Sequence, residues 1–132
     1  MLERPGGALE VSPPLEIRPS TEHVFFDYQA KYADTATVFD VPAGLDPATT
    51  HAIGQDALRV FRELGCSGLL RVDFFLRPDG TRILNEVNTF PGFTSVSQYP
   101  RMWQAAGLGY RDLLDVLVDT ALTLRRHPRS RH

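Results

Sequence analysis

The chain opens with short strand-like stretches and closes with helical ones. Met1 to Arg4 runs into the turn Pro5-Gly6-Gly7, and Ala8 to Val11 follows, which reads as a hairpin whose first strand is short. Leu15 to Arg18 is a strand entered through Pro13-Pro14, a position suited to a sheet edge. Pro19 to Glu22 reads as a turn, and Val24-Phe25-Phe26 as a brief strand. From Tyr28 to Leu45 the apolar periodicity is lost, and a stretch that long without its own pattern is expected to be a mobile or functional loop.

A helix begins at Asp46-Pro47, with Asp as N-cap and Pro at the first helical position. Ile53, Ala57, Val60, Phe61 and Leu64 recur at helical spacing and form one apolar stripe, and Gly65 ends it. Ser67 to Leu76 is the next strand. After the loop following the second strand, a short helix is expected near Pro100 to Ala106. A last helix runs from Tyr110 to Arg125, with Leu113, Leu114, Leu117, Val118, Ala121 and Leu122 facing inward. Strands and helices of this kind predict an α+β fold, an antiparallel sheet with helices packed on one side.

The stretch from Arg71 to Ser97, RVDFFLRPDGTRILNEVNTFPGFTSVS, carries the candidate chemistry. Arg77-Pro78-Asp79-Gly80 is a strong turn signal between two strands. With Pro78 and Asp79 as the two central residues, Arg71 lies opposite Glu86 and Asp73 opposite Leu84. Side chains alternate across a strand, so residues 71, 73, 84, 86 and 88 then share one face, while Phe74, Leu76, Ile83 and Val87 take the other. A loop one residue longer or shorter would destroy this arrangement. Two carboxylates (Asp73, Glu86) and an amide oxygen (Asn88) on one face suit a hard cation, and Arg71 beside them suits a developing negative charge. A solvated hairpin face with a cross-strand Arg–Glu pair fits the same pattern. Phe75 shares the parity of Arg71 and Asp73; it suits either an adenine or ordinary packing. Pro91-Gly92 breaks regular structure, and Thr94, Ser95 and Ser97 supply hydroxyls before a helix start, which suits a carboxylate or phosphate. Simple N-capping by Ser97 is the competing reading.

These same residues carry a resemblance. RVDFF, NEVNTFPGFTSVSQYPRMW, and upstream DYQAKY (Asp27 to Tyr32) with PAGL (Pro42 to Leu45) resemble the C-terminal signature of D-alanine–D-alanine ligases, in the ATP-grasp superfamily. The resemblance covers nearly the whole chain. It implies the C-terminal portion of an ATP-grasp domain, truncated at its start, with a lid loop over 28–45 and a disordered tail over 126–132. The chain resembles a C-terminal fragment, or a gene product started at an internal Met.

The activity implied is that of an ADP-forming ligase joining two D-alanines for peptidoglycan synthesis in the cytoplasm, and a homodimer is compatible with the full-length enzyme. By the same resemblance Asp73, Glu86 and Asn88 are expected to hold two Mg²⁺ ions, or Mn²⁺, with Glu86 also serving ATP. Arg71 and the Gly92 N–H would stabilise an oxyanion. Lys31 would meet the transferred phosphate, and Tyr32 would help seal the lid. Phe75 would contact adenine, and Ser97 would bind a D-alanine carboxylate. Gln29 departs from the family, which often has an acid there. A related ligase using D-lactate or another amino acid is an alternative, though the Lys31-Tyr32 pair departs from the D-lactate pattern. A non-catalytic nucleotide-binding remnant is another.

Composition narrows the partners. The 132 residues are 42% apolar, enough for one packed core, and carry a formal charge of −2 with no large basic block, which speaks against nucleic acid. No apolar run is long enough for a membrane span. Cys66 is the only cysteine, so no intramolecular disulfide forms; its place suggests a small buried residue entering a strand. The four histidines show no paired metal-ligand spacing.

Overall fold

The computed structural model describes residues 1–18 and 38–126. Its elements are β1 (Leu2–Glu3), β2 (Leu9–Glu10), β3 (Glu16–Arg18), β4 (Val38–Asp40), α1 (Pro47–Glu63), β5 (Arg71–Leu76), β6 (Arg82–Asn88), α2 (Gln98–Ala105) and α3 (Tyr110–Arg126). The strands pair antiparallel as β1 with β2, β3 with β4, and β5 with β6. The fold is α+β. The expected strand at Val24-Phe25-Phe26 and the turn before it lie outside the described residues. The segment read as structureless from Tyr28 to Leu45 carries β4 in its second half. There Ile17 pairs with Phe39, and Arg18 forms a salt bridge with Asp40. Strand β5 starts at Arg71, later than the expected Ser67, because residues 68–70 pair with β1 instead.

Strand β1 is the middle of the molecule. On one edge Leu2 pairs with Glu10. On the other Leu2 bridges Leu69, and the Glu3 N–H donates to the Gly68 carbonyl at 2.7 Å. Neighbouring residues of a strand point to opposite faces, and Met1 and Leu2 do so here. Met1 packs with Ala57, Phe61 and Leu70, joined by Val72 and Phe74, in the core under α1. Leu2 packs with Tyr99, Trp103 and Leu113, joined by Leu69 and Phe93, in a second core under α2 and α3. The helices therefore divide between the two faces of this layer rather than gathering on one.

Helix α1 starts as its sequence dictates. The Asp46 carboxylate accepts from the Thr49 N–H at 2.9 Å and from its hydroxyl, and these bonds hold the Asp46 pKa below its usual value. At the other end the Cys66 N–H donates to the Phe61 carbonyl at 3.0 Å across Gly65. Ala57 and Phe61 are buried, but Leu64, expected in the same stripe, is 58% exposed because it sits at the C-cap, past the last packed turn. Cys66 is a free, half-buried thiol packed at the edge of the α1 core.

Helix α3 is rotated relative to the expected stripe. Leu113 and Thr120 are fully buried, and Val116 and Leu117 pack beside them, while Leu114, Val118, Ala121 and Leu122 face outward. The rotation follows from Thr120, whose hydroxyl donates to the Glu3 carbonyl at 2.9 Å inside the core. A buried polar group must be bonded, so this contact fixes which face of α3 turns inward. Helix α3 continues through Arg126, one residue into the expected tail; residues 127–132 lie outside the described set.

The Met1 amine is buried, and it donates to the Leu70 carbonyl at 3.0 Å. Burial lowers its pKa from 8.0 to about 5. Between pH 5 and 8 the unfolded chain therefore carries a proton here that the folded chain does not. Stability should rise with pH across that window and level off above it, by an amount on the order of 4 kcal/mol. Acetylating Met1 keeps an N–H for Leu70 and removes the titrating charge. Urea melts of the two forms at pH 5.5 and 8.5 check this; the acetylated form should lose most of the slope.

Candidate active site

The polar face sits on β5 and β6. The connection between them is a three-residue loop, one longer than expected. The Gly80 N–H donates to the Arg77 carbonyl, and the Arg77 N–H donates to the Thr81 carbonyl, each at 2.9 Å. Gly80 holds φ +83°, which a residue with a Cβ rarely adopts, and the Asp79 carboxylate accepts from the Thr81 N–H. Beside the turn, Phe75 pairs with Ile83 and Phe74 with Leu84. Ile83 thus joins the face of Phe75, and Leu84 leaves it, the reverse of the expected assignment.

A second irregularity follows. The register shifts between Asp73 and Phe74, so Asp73 pairs with Glu86 and Asn85 is left without a partner. Arg71 then pairs with Asn88 rather than Glu86. The longer loop moves the register by one residue, and the bulge at Asn85 moves it by one more. Two shifts restore the original parity. Arg71, Asp73, Glu86 and Asn88 share a face as expected, by a register that differs from the expected one at every rung.

The four side chains are held together. Arg71 donates from Nε to Asp73 Oδ1 at 2.9 Å and from one terminal nitrogen to Oδ2 at 3.0 Å, a bidentate fork. The same nitrogen reaches Glu86 Oε1 at 3.2 Å. Asn88 Oδ1 accepts from the Phe90 N–H at 2.9 Å, which turns the chain out of β6 and into the loop 89–97. This face continues that of Leu69, and the even-numbered residues Leu70, Val72 and Phe74 fill the core beneath α1. The carboxylates therefore look out on the side of α2, α3 and the loop 89–97. Phe75, at the turn end of the same face, is 60% exposed.

The oxygen set is chemically suited to a hard cation: two carboxylates and an amide oxygen, with Arg71 bonded to Glu86 through Oε1 and each Asp73 oxygen keeping a lone pair beside Arg71. Among the described residues no group of three or more His, Cys, Asp and Glu side chains is placed to hold a metal ion, so a cation on this face would depend on the Asn88 oxygen as well.

Ser97 stands at the N-cap position of α2, but its side chain makes no capping bond. The N3 position, to which a capping hydroxyl commonly binds, is Pro100 and has no N–H. The simple capping reading is thereby corrected. Instead Ser97 Oγ accepts from the Thr94 N–H at 3.0 Å and bonds the Thr94 hydroxyl at 2.8 Å. Gly92 lies against it: a Cβ on Gly92 would come 3.4 Å from Ser97 Oγ. Tyr110, which the sequence reading placed only at a helix start, donates its hydroxyl to the Phe93 carbonyl at 2.8 Å, and the Phe93 ring packs between Tyr99 and Tyr110. No spacing in the sequence marks Tyr110 as a loop anchor, because its partner is a backbone carbonyl. Lys31 and Tyr32 lie outside the described residues.

Residues 3–119 match the family described as D-ala D-ala ligase C-terminus. The chain belongs to that family. It is 48% identical over 127 residues to a D-alanine–D-alanine ligase A of Mesorhizobium japonicum, covering 96% of this chain and 36% of that protein. Among solved structures it resembles the VanG D-Ala:D-Ser ligase of Enterococcus faecalis (TM-score 0.74, 40% identity, 89% of this chain and 33% of that one). It also resembles the Bacillus anthracis D-alanine–D-alanine ligase complexed with ATP (TM-score 0.73, 36% identity, 89% and 38%). The fold is thus the C-terminal portion of an ATP-grasp domain, and the chain spans about a third of the length of these relatives. No described helix is long and apolar enough to cross a membrane.

Ser97→Ala strips the acceptor from Thr94 while leaving the start of α2 intact. Thr94 amide exchange should quicken at least tenfold, and the exchange of Arg101 and Met102 within α2 should not change. Hydrogen exchange read residue by residue checks this, and equal acceleration in α2 would restore the capping role.

Proposed function

We propose that this chain forms the metal-binding and acyl-transfer half of an ATP-dependent, ADP-forming ligase that joins two D-alanines. The observation that carries the reading is the shared face of Arg71, Asp73, Glu86 and Asn88 beside the Gly92–Ser97 loop, in a chain of this family. In the reaction the γ-phosphoryl group of ATP passes to one D-alanine carboxylate, giving an acylphosphate. The amine of the second D-alanine then attacks the acyl carbon, and phosphate leaves from a tetrahedral intermediate.

Asp73, Glu86 and Asn88 would hold two Mg²⁺ ions, which supply charge neutralisation of the phosphate oxygens. Arg71 spans both carboxylates and keeps them oriented, and its guanidinium together with the Gly92 N–H would meet the oxyanion; donors in such roles contribute roughly 3–4 kcal/mol each. Ser97, with its hydroxyl held in the loop by Thr94, would receive the second D-alanine's carboxylate. Phe75 offers an exposed ring for the adenine. Lys31 would contact the transferred phosphate, and Tyr32 would help exclude water. A second reading keeps this chemistry and changes the second substrate, since the 40% identity to a D-Ala:D-Ser ligase is no lower than the 36% to the Bacillus anthracis D-alanine enzyme. Competition between D-alanine and D-serine in one reaction separates the two.

In a ligase that joins this chain to the preceding part of the fold, Glu86→Gln should lower ADP release by about two orders of magnitude or more. Its effect on melting should stay within about 1 kcal/mol, since Glu86 is 41% exposed and only part of its charge is paired. Asn88→Asp keeps an oxygen donor and should retain more activity than Asn88→Leu. ADP release against Mg²⁺ concentration reads all three, and unchanged turnover in Glu86→Gln overturns the metal role. The 132 residues alone should release no ADP in response to D-alanine.

A further inference from the structure

The loop between β6 and α2 is held at one peptide unit. The amide that joins Phe93 to Thr94 is bonded at both ends: its carbonyl accepts from the Tyr110 hydroxyl at 2.8 Å, and its N–H donates to Ser97 Oγ at 3.0 Å. A peptide unit is planar, so bonds on its two opposite sides fix its rotation. The Phe93 ring centroid lies 5.9 Å from that of Tyr99 and 5.8 Å from that of Tyr110. Tyr110 thus grips Phe93 twice, by ring and by hydroxyl.

Ser97 Oγ carries one proton and two lone pairs. The Thr94 N–H fills one lone pair. The Thr94 hydroxyl lies 2.8 Å away, and either oxygen is able to donate. When Ser97 donates, its proton is used inside the loop and one lone pair stays open. When Thr94 donates, both lone pairs of Ser97 are filled, and the Ser97 proton is left to point outward. Among the described residues neither hydroxyl has a further partner, and Ser97 makes no capping bond to α2. Ser97 is half-buried and Thr94 exposed, so a ligand can reach the pair.

We propose that Thr94 is a positioning residue for the second substrate: its hydroxyl donates to Ser97, which makes Ser97 an outward donor, and Tyr110 holds the peptide unit from which Thr94 acts. The inference rests on the ligase reading, which assigns the second substrate's carboxylate to Ser97, and it deepens that reading by naming what orients the hydroxyl. A carboxylate accepts and never donates, so its arrival selects the polarity in which Thr94 donates. In that polarity the two hydroxyls form a chain that ends on the carboxylate, and each bond of such a chain strengthens the next. The selection acts on the carboxylate alone. It is indifferent to whether the rest of the second substrate is D-alanine or D-serine.

The test uses the ligase that joins this chain to the preceding part of the fold. Thr94→Val and Thr94→Ala keep the backbone N–H and lose the hydroxyl. In both, KM for the second D-alanine should rise about tenfold while kcat stays within about twofold, because the lost bond orients a binding group and touches no reacting atom. Thr94→Ser returns the hydroxyl and should bring KM to within about threefold of the unchanged enzyme. Tyr110→Phe keeps the ring and drops its hydroxyl; in the 132-residue chain it should quicken Thr94 amide exchange at least fivefold and leave Arg101 and Met102 as they were. An unchanged KM in Thr94→Val and Thr94→Ala overturns the proposal, and so does a loss confined to kcat. A Thr94→Ser enzyme as impaired as Thr94→Val also overturns it, because the hydroxyl is then not what matters. Unchanged Thr94 exchange in Tyr110→Phe removes the role given to Tyr110. The ligase reading fails separately, by an unchanged enzyme that releases no ADP in response to D-alanine.

Discussion

The structure depends on two adjacent residues pointing opposite ways. Met1 and Leu2 belong to one short strand, and each enters a different core. The backbone of the same strand is bonded on both edges and from above: Tyr99 donates to the Met1 carbonyl and Thr120 to the Glu3 carbonyl. The Glu3 carboxylate, fully buried, accepts from the Gly68 N–H at 2.9 Å. Strand β1 therefore fixes α1, α2, α3 and the approach to β5 at once. Losing any of these buried bonds leaves a polar group unsatisfied, at a cost of about 1–3 kcal/mol. The polar face on β5 inherits its direction from this strand, since Leu69 and Leu70 are set by β1 and Arg71 follows in alternation.

Much of this was legible in the residues. The cap at Asp46, the end of α1 at Gly65 and the hairpin at Pro78 to Gly80 rest on local backbone chemistry, which a short window of sequence contains. The face of α3 was misjudged because periodicity alone does not distinguish Leu114, Val118 and Leu122 from Leu113, Val116 and Leu117. That choice was made by Thr120, a polar residue bonded to a strand 117 positions away in sequence. Strand β4 was missed for a related reason: Val38-Phe39-Asp40 is too short to show a period, and it is a strand only because Glu16 to Arg18 lies beside it.

The polar face shows how a correct conclusion arises from an incorrect register. The sequence signals the turn but not whether Gly80 is inside it or beside it, and nothing in Ile83-Leu84-Asn85 announces a bulge. Each irregularity alone would turn Glu86 and Asn88 into the core. Together they return both to the side of Arg71 and Asp73. The bulge is therefore coupled to the loop length: shortening the loop by one residue without removing Asn85 would bury Glu86, and an isolated buried carboxylate is strongly unfavourable. A part of the hairpin remote from the polar groups thus sets whether they meet.

Arg71 resolves the remaining difficulty of this face. Asp73 and Glu86 are cross-strand neighbours, and like charges directly opposite each other are destabilising. One guanidinium bonded to both carboxylates turns that repulsion into a three-membered ion cluster. The cluster still carries one net negative charge, and its oxygens keep lone pairs that five fixed N–H donors cannot all reach. In the metal role proposed for this face, a cation would meet two carboxylates already held side by side, and it would not have to displace Arg71 from both of them. The side chain that offsets the repulsion on this face is in this way the one that would preorganise it for that role.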